Sequence, residues 1–165
     1  MPSNYLRDEE RVVRFVPWGK LRKDEDDNVL GPLPAAFELR EDEEYLSVTW
    51  CEFFAGTPDE QLRCAIEAIR SSNLTVGAKA RFAVGEVGPI KRVAEGRPNA
   101  RKLRIIHEPE DDNAAHVAVR HWPREDAELM DLLAASAWSN IFDATQANNL
   151  PVSDCAISGR GRETS

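Results

Sequence analysis

Three histidines fall within a fifteen-residue stretch of the chain, at positions 107, 116 and 121. The loop between the first two is rich in carboxylates, including Asp111 and Asp112. Neutral imidazole and carboxylate groups serve as metal ligands and as acid–base groups in hydrolytic sites. One hypothesis from the sequence is therefore a hydrolase or nuclease whose catalytic residues are His107, His116, Asp111 and Asp112.

The spacing around His107 excludes one specific class of zinc enzyme. The string from His107 to Asp111 lacks a second histidine one helical turn onward, and Pro109 is incompatible with the helix that a zincin motif requires. Strand alternation offers a simpler interpretation of the segment. It places His107 and His121 on the core side with hydrogen-bonding partners and leaves His116 exposed beside Glu108, with no metal and no cofactor.

The three cysteines, Cys51, Cys64 and Cys155, lie far apart and form no CxxC pair. This pattern predicts reduced thiols in a cytoplasmic protein, and argues against a disulfide framework or a structural zinc site. A thiol at the start of a helical turn can act as a nucleophile, and Cys51 precedes such a turn. No local signature supports that role, so the sequence favours a buried, structural Cys51.

The charge distribution points to a different class of function. The net charge is −8, but residues 1–60 carry 15 acidic and 7 basic side chains, whereas residues 61–165 carry 14 of each. If the basic sheet face is open, it could bind nucleic-acid phosphates, or equally an acidic protein partner. The candidate binding residues are Lys79, Arg81, Lys102, Arg104, Arg120 and Trp122.

The elements that would position these residues can be predicted from hydrophobic patterning. A long polar loop is expected at 17–34. Residues 102–107 and 115–122 alternate so that pairing Ile105 with Val119 puts both apolar sets on the core side. Strands are predicted at 11–16, 36–40, 45–50, 80–86 (continuing to 93 as a bent partner), 102–107 and 115–122, with the second and third forming a hairpin.

Two helices are predicted. The first, over 57–71, begins with a capping box formed by Thr57 and Glu60 and has Pro58 at its first position. The second, over 124–144, carries an apolar stripe too broad for one sheet to cover. This width suggests a partner protein or a homo-oligomer that buries the helix. No apolar run reaches the length of a membrane span.

Together these patterns predict an α+β fold: a mostly antiparallel sheet of five to seven strands with two helices on one face. The predicted domain covers residues 1–145, and 146–165 form a flexible tail. The leading functional hypothesis is a non-catalytic accessory protein that docks on another macromolecule through its charged sheet face and its broad apolar helix. The hydrolase and the nucleic-acid-binding hypotheses remain as alternatives.

Overall fold

The computed structural model describes residues 4–164 and has the α+β architecture that the sequence predicts. The strands are β1 Arg11–Val16, β2 Leu21–Lys23, β3 Val29–Pro32, β4 Tyr45–Trp50, β5 Arg81–Glu86, β6 Arg104–His107, β7 His116–Arg120 and β8 Asn140–Phe142. The helices are α1 Pro58–Arg70, α2 Val87–Ala94, α3 Ala127–Ser136, α4 Ala144–Asn148 and α5 Gly159–Glu163. Six strands form one antiparallel sheet in the order β6-β7-β4-β1-β5-β8, and β2 and β3 form a separate hairpin.

The first helix follows directly from its local sequence. The Thr57 side chain accepts from the Glu60 backbone amide, and the Glu60 carboxylate accepts from the Thr57 amide, so the capping box is confirmed. Pro58 occupies the first turn, where its missing N–H costs nothing. Leu62, Ile66 and the rest of the apolar stripe are buried, which holds α1 against the sheet.

The predicted register of the last two long strands is also confirmed. Ile105 pairs with Val119 in the antiparallel ladder between β6 and β7, and both side chains are buried. Leu103 is buried as expected, while Lys102 and Arg104 are exposed. Alternation on both strands was sufficient here because a slip of one residue would have moved Leu103, Ile105 and their partners in β7 to the opposite face of the sheet.

Three predicted elements before residue 95 differ in the structure. Residues 36–40 form no strand and no hairpin with β4; instead Pro34–Phe37 is a short 3-10 turn. The polar stretch 17–34 contains the β2–β3 hairpin. The predicted continuation of β5 is the helix α2, in which Pro89 is tolerated because the first-turn amide groups of a helix need no intrahelical partner.

The predicted long helix over 124–144 is wrong. The α3 helix ends at Ser136, and the apolar pattern continues into β8, which pairs with β5 at the sheet edge. Most of the broad stripe is covered by the chain itself, since α3 contacts α2 and the Pro34–Phe37 turn, whereas Leu132 is exposed. Trp138, directly after α3, is fully buried, and its ring stacks on that of Phe37 with the centroids 4.7 Å apart. The buried part of the stripe therefore does not require a partner.

The C-terminal segment, expected to be a flexible tail, is folded against the rest of the chain. A disulfide joins Cys64 in α1 to Cys155, which corrects the prediction of reduced, unpaired thiols. The two cysteines are 91 residues apart, so no spacing motif signals the bond. Ser158 caps α5 and donates its hydroxyl to the Glu52 carbonyl.

Cys51 is a free, buried thiol. No helix in residues 4–164 is long and apolar enough to cross a membrane.

The helices lie on both faces of the sheet. The α1 helix covers the face that carries Phe82, because the Arg70 guanidinium lies over the Phe82 ring. The end of α3 packs on the opposite face, at Gly85. An added Cβ at Gly85 would lie 2.8 Å from the carbonyl oxygen of Ala137, the C-cap residue of α3. Both faces of the antiparallel sheet are thus covered. A ligand could reach the sheet where two neighbouring strands diverge.

Candidate functional site

The two central strands of the sheet, β1 and β4, pair along only part of their length. The β1–β4 ladder contains two residue pairs, Val12 with Trp50 and Val13 with Thr49, whereas β1 pairs with β5 along all six of its residues. Beyond Val13 the two strands diverge and leave a cleft of about 390 Å³. This volume lies within the range of small-molecule sites. Four segments line the cleft: 13–20, 36–49, 69–74 and 110–116.

Three cationic side chains, Arg14, Lys20 and Arg40, line one part of the cleft. The Arg14 guanidinium occupies the gap between the strands, where Nε donates to the Ala36 carbonyl at 3.0 Å and Nη1 donates to the Ser47 carbonyl at 2.9 Å. The second bond satisfies the Ser47 carbonyl, which has no main-chain donor from β1 because the two strands do not pair there. These two bonds fix the guanidinium in place and leave Nη2 available to a ligand.

The surroundings lower the pKa values of two of these cations. Burial lowers the pKa of Arg14 to about 10; the Glu43 carboxylate opposes this shift, and the Arg40 charge adds to it. Burial also lowers the pKa of Lys20, as do the charges of Arg14 and Arg40, whereas Glu43 and Glu38 act in the opposite direction. Within residues 4–164, no carboxylate forms an ion pair with any of the three, although Glu43 lies in the same cleft. Arg14 and Lys20 are partly buried, whereas Arg40 is exposed. Partly buried positive charges without an ion-pair partner are costly, and an anionic ligand would relieve that cost.

A second polar group lines the cleft around Ser47 and His116. The Ser47 hydroxyl lies 3.1 Å from Nε2 of His116, and Nδ1 of the same ring lies 2.8 Å from the Glu108 carbonyl oxygen. Because a carbonyl only accepts, Nδ1 carries the proton in the neutral ring, and Nε2 accepts from the hydroxyl. The Glu110 carboxylate is 3.4 Å from Nε2. His116 is buried, which corrects the prediction that it is exposed.

The acidic loop between β6 and β7 holds these groups in position. Asn113 is buried and donates its side-chain amide to the Thr49 hydroxyl at 2.9 Å, which fastens the loop over β4. The Asp112 carboxylate accepts a hydrogen bond from the backbone amide of Asn73 and so connects the loop to the segment after α1. The loop therefore closes one side of the cleft and brings Glu110 to His116.

The other residues of the predicted catalytic set lie elsewhere. His107 is buried, as expected, and bonds the Ala114 carbonyl and the Thr164 hydroxyl, and burial lowers its pKa. Asp111 is exposed and does not line the cleft. His121 is not a core residue, because its side chain is only partly buried; its φ is 64° and its Nδ1 bonds the Lys102 carbonyl. Among residues 4–164, no group of three or more His, Cys, Asp or Glu side chains is arranged to hold a metal ion.

The predicted basic binding residues do not form one surface. Arg104 and Arg120 are cross-strand neighbours on β6 and β7, and Lys102 lies next to them in sequence. Arg120 makes two hydrogen bonds of 2.7 Å to the Glu108 carboxylate, so part of its charge is neutralised. Trp122, expected at the edge of this face, is buried and donates to the Phe37 carbonyl.

Lys79 and Arg81 lie at the far end of β5, three strands away from β7. They surround Trp18 together with Lys23, with the cationic groups 4.2 to 6.0 Å from the ring centroid. We call Trp18, Lys23, Lys79 and Arg81 the Trp18 cluster. Its cations are separate from those of Lys102, Arg104 and Arg120.

Sequence patterning did not identify Arg14, Lys20, Arg40 or Ser47 as site residues. One signal was available: Ser47 and Thr49 alternate with apolar residues in β4, so both lie on one face of an otherwise apolar strand. The contact between Ser47 and His116 depends on β4 pairing with β7, which local patterning does not specify.

Comparison of the chain with protein-family models, with characterised proteins and with solved structures finds no match.

Proposed function

We propose that this protein binds a small molecule carrying a carboxylate or phosphate group in the cleft between β1 and β4. The observation that carries the proposal is the cluster of Arg14, Lys20 and Arg40, three cations without ion-pair partners in the described chain, in a cavity of ligand size. Perturbed pKa values in a cleft are a recurrent property of functional sites. Arg14 provides a preoriented donor, and preorganisation reduces the entropic cost of binding.

The remainder of the cleft would select among anions. Ser47, His116 and Asn113 offer hydroxyl, imidazole and amide groups, while Glu110 and Asp112 add negative charge. A ligand with hydroxyl or amino groups next to its anionic group fits this arrangement, because those groups can donate to the carboxylates. A ligand with several anionic groups and no such donors would bind less tightly, because Glu110 and Asp112 repel its additional charge.

Docking on a partner protein and binding of nucleic acid through the basic residues of β5, β6 and β7 both stay predictions. Most of the apolar face of α3 is covered within the chain, so that face gives docking little support. Catalysis by a metal-dependent set around His107 has no geometric support in residues 4–164.

The proposal is tested by isothermal titration calorimetry with phosphate, pyrophosphate, citrate and benzoate at fixed ionic strength. We expect saturable binding of at least one of these anions. Lys20→Met should weaken that binding at least tenfold, or by about 1.4 kcal/mol or more. Lys20 suits this test because its side chain makes no hydrogen bond or ion pair within residues 4–164, so the melting temperature should change little.

Lys91→Met is the matched control, since Lys91 lies on α2 and pairs with Asp8 outside the cleft. Equal loss of affinity in the Lys20 and Lys91 variants would show a diffuse charge effect, and the proposed site would be wrong. Absence of saturable binding for all four anions would also contradict the proposal.

A further inference from the structure

The pair formed by Ser47 and His116 has a geometry that simple binding does not require. A nucleophilic serine needs a base within hydrogen-bond reach and a third group that orients the base. Here the Ser47 hydroxyl is 3.1 Å from Nε2 of His116, and the Glu108 carbonyl accepts from Nδ1 at 2.8 Å. The ring is buried, whereas Ser47 is only partly buried and lines the cleft.

We infer that Ser47 and His116 form a nucleophile–base pair that hydrolyses a small carboxylic ester whose anionic group is held by the cleft cations. This inference rests on the proposed function, because Lys20 and Arg40 would hold the charged end of the ester. It does not need the metal site that the sequence suggested for the same loop.

The reaction balances with water as the co-reactant. Nε2 of His116 takes the Ser47 proton as Oγ bonds to the ester carbonyl carbon. The tetrahedral intermediate collapses, the bond to the alcohol oxygen breaks, and the alcohol leaves with the proton from the imidazolium. Water then attacks the acyl carbon as His116 takes its proton. The bond from the acyl carbon to Oγ breaks and the imidazolium returns its proton to Oγ, which releases the carboxylic acid and restores Ser47.

Two charged groups are placed where this reaction develops charge. Glu110 Oε1, 3.4 Å from Nε2, would stabilise the imidazolium that forms after the first proton transfer. The Arg14 guanidinium lies against Ser47 through its bond to the Ser47 carbonyl, and its Nη2 is available to the oxyanion of the intermediate. Arg14 thus contacts the main chain of Ser47, and Glu110 lies beside the His116 ring.

A chromogenic ester with the charge on its leaving group tests the inference. The probe is 3-acetoxy-4-nitrobenzoate, and 2-nitrophenyl acetate is the matched neutral ester. We expect the protein to hydrolyse the anionic ester with a kcat/KM at least tenfold above that for the neutral one. Ser47→Ala should reduce the rate at least 100-fold, within the range that general base and nucleophilic catalysis contribute.

Ser136→Ala is the control, since that hydroxyl is on the exposed side of α3 and bonds only its own helix. Diisopropyl fluorophosphate gives a second readout, because the Ser47 oxygen should displace fluoride and peptide mapping should locate the adduct on Ser47. A rate unchanged in the Ser47 variant, or labelling at another serine alone, would overturn the inference.

Calorimetry with the product, 3-hydroxy-4-nitrobenzoate, separates this inference from the proposed function. If the wild-type protein binds the product but hydrolyses neither ester above the buffer rate, hydrolysis is wrong and anion binding stands. If the product does not bind and Lys20→Met behaves as wild type towards all the anions, the cleft is not an anion site and both proposals are wrong.

Discussion

The disulfide between Cys64 and Cys155 should be a major source of stability. The cross-link closes a loop of 91 residues and so restricts the unfolded chain. The loop-entropy relation gives about 4.6 kcal/mol for that length at 25 °C, and measured disulfides more often contribute about 2–4 kcal/mol. We therefore expect Cys155→Ser to lower the free energy of unfolding by about 2–4.6 kcal/mol, a large part of the total for a chain of this size.

Urea denaturation of the oxidised protein, the reduced protein and the Cys155→Ser variant measures this effect. The variant should resemble the reduced wild-type protein and should itself be insensitive to reductant. Thiol titration in denaturant provides an independent check, because the oxidised chain should expose one thiol, that of Cys51, and the reduced chain three. Three reactive thiols without reductant, or a stability change under about 0.5 kcal/mol on reduction, would refute the reasoning.

Three further predictions concern packing and charge. Ile66→Ala, at a fully buried position of α1, should lower the free energy of unfolding by about 2–5 kcal/mol in urea titrations; a change near zero would place the stripe on the surface. Gly85→Ala should cost about 1–3 kcal/mol, since its Cβ would lie 2.8 Å from a backbone oxygen, whereas Gly159→Ala, with open space around it, is the neutral control. The hydrogen bonds from Arg120 lower the pKa of Glu108, so the stability they supply is present above the unfolded-state pKa and is lost as pH falls through the folded-state pKa. Acid titration of Glu108→Gln should therefore show a smaller loss of stability below about pH 4.5 than the wild type, and identical profiles would contradict this.

Elements specified by neighbouring residues could be predicted from the sequence. The α1 helix has its cap, its first-turn proline and its apolar stripe within fifteen residues, and these signals agree. The β6–β7 register follows from alternation on both strands. The same reasoning failed for α2, whose first amide groups donate to the carbonyls of Asp8 and Glu10. Those contacts join distant segments, and nothing in 87–94 signals them.

The apolar run after α3 shows a second kind of failure. Helical spacing continued through Ile141, but β8 gains ladder hydrogen bonds by pairing with β5, and the helix ends before it. The candidate site is predictable only in part for the same reason. The acidic loop and His116 were identified as candidates, but the cleft exists because β1 and β4 diverge, and that depends on the whole sheet.

The central claim, that the cleft between β1 and β4 is an anion site, is tested most directly by crystallography with tungstate, a heavy-atom substitute for phosphate. Anomalous difference maps from soaked crystals should show a tungstate ion in the cleft, with its oxygen atoms placed to accept hydrogen bonds from Nη2 of Arg14 and Nζ of Lys20. The peak should be lost in crystals of Lys20→Met. An empty cleft with tungsten at the Trp18 cluster, or no ordered tungsten in the protein, would contradict the claim.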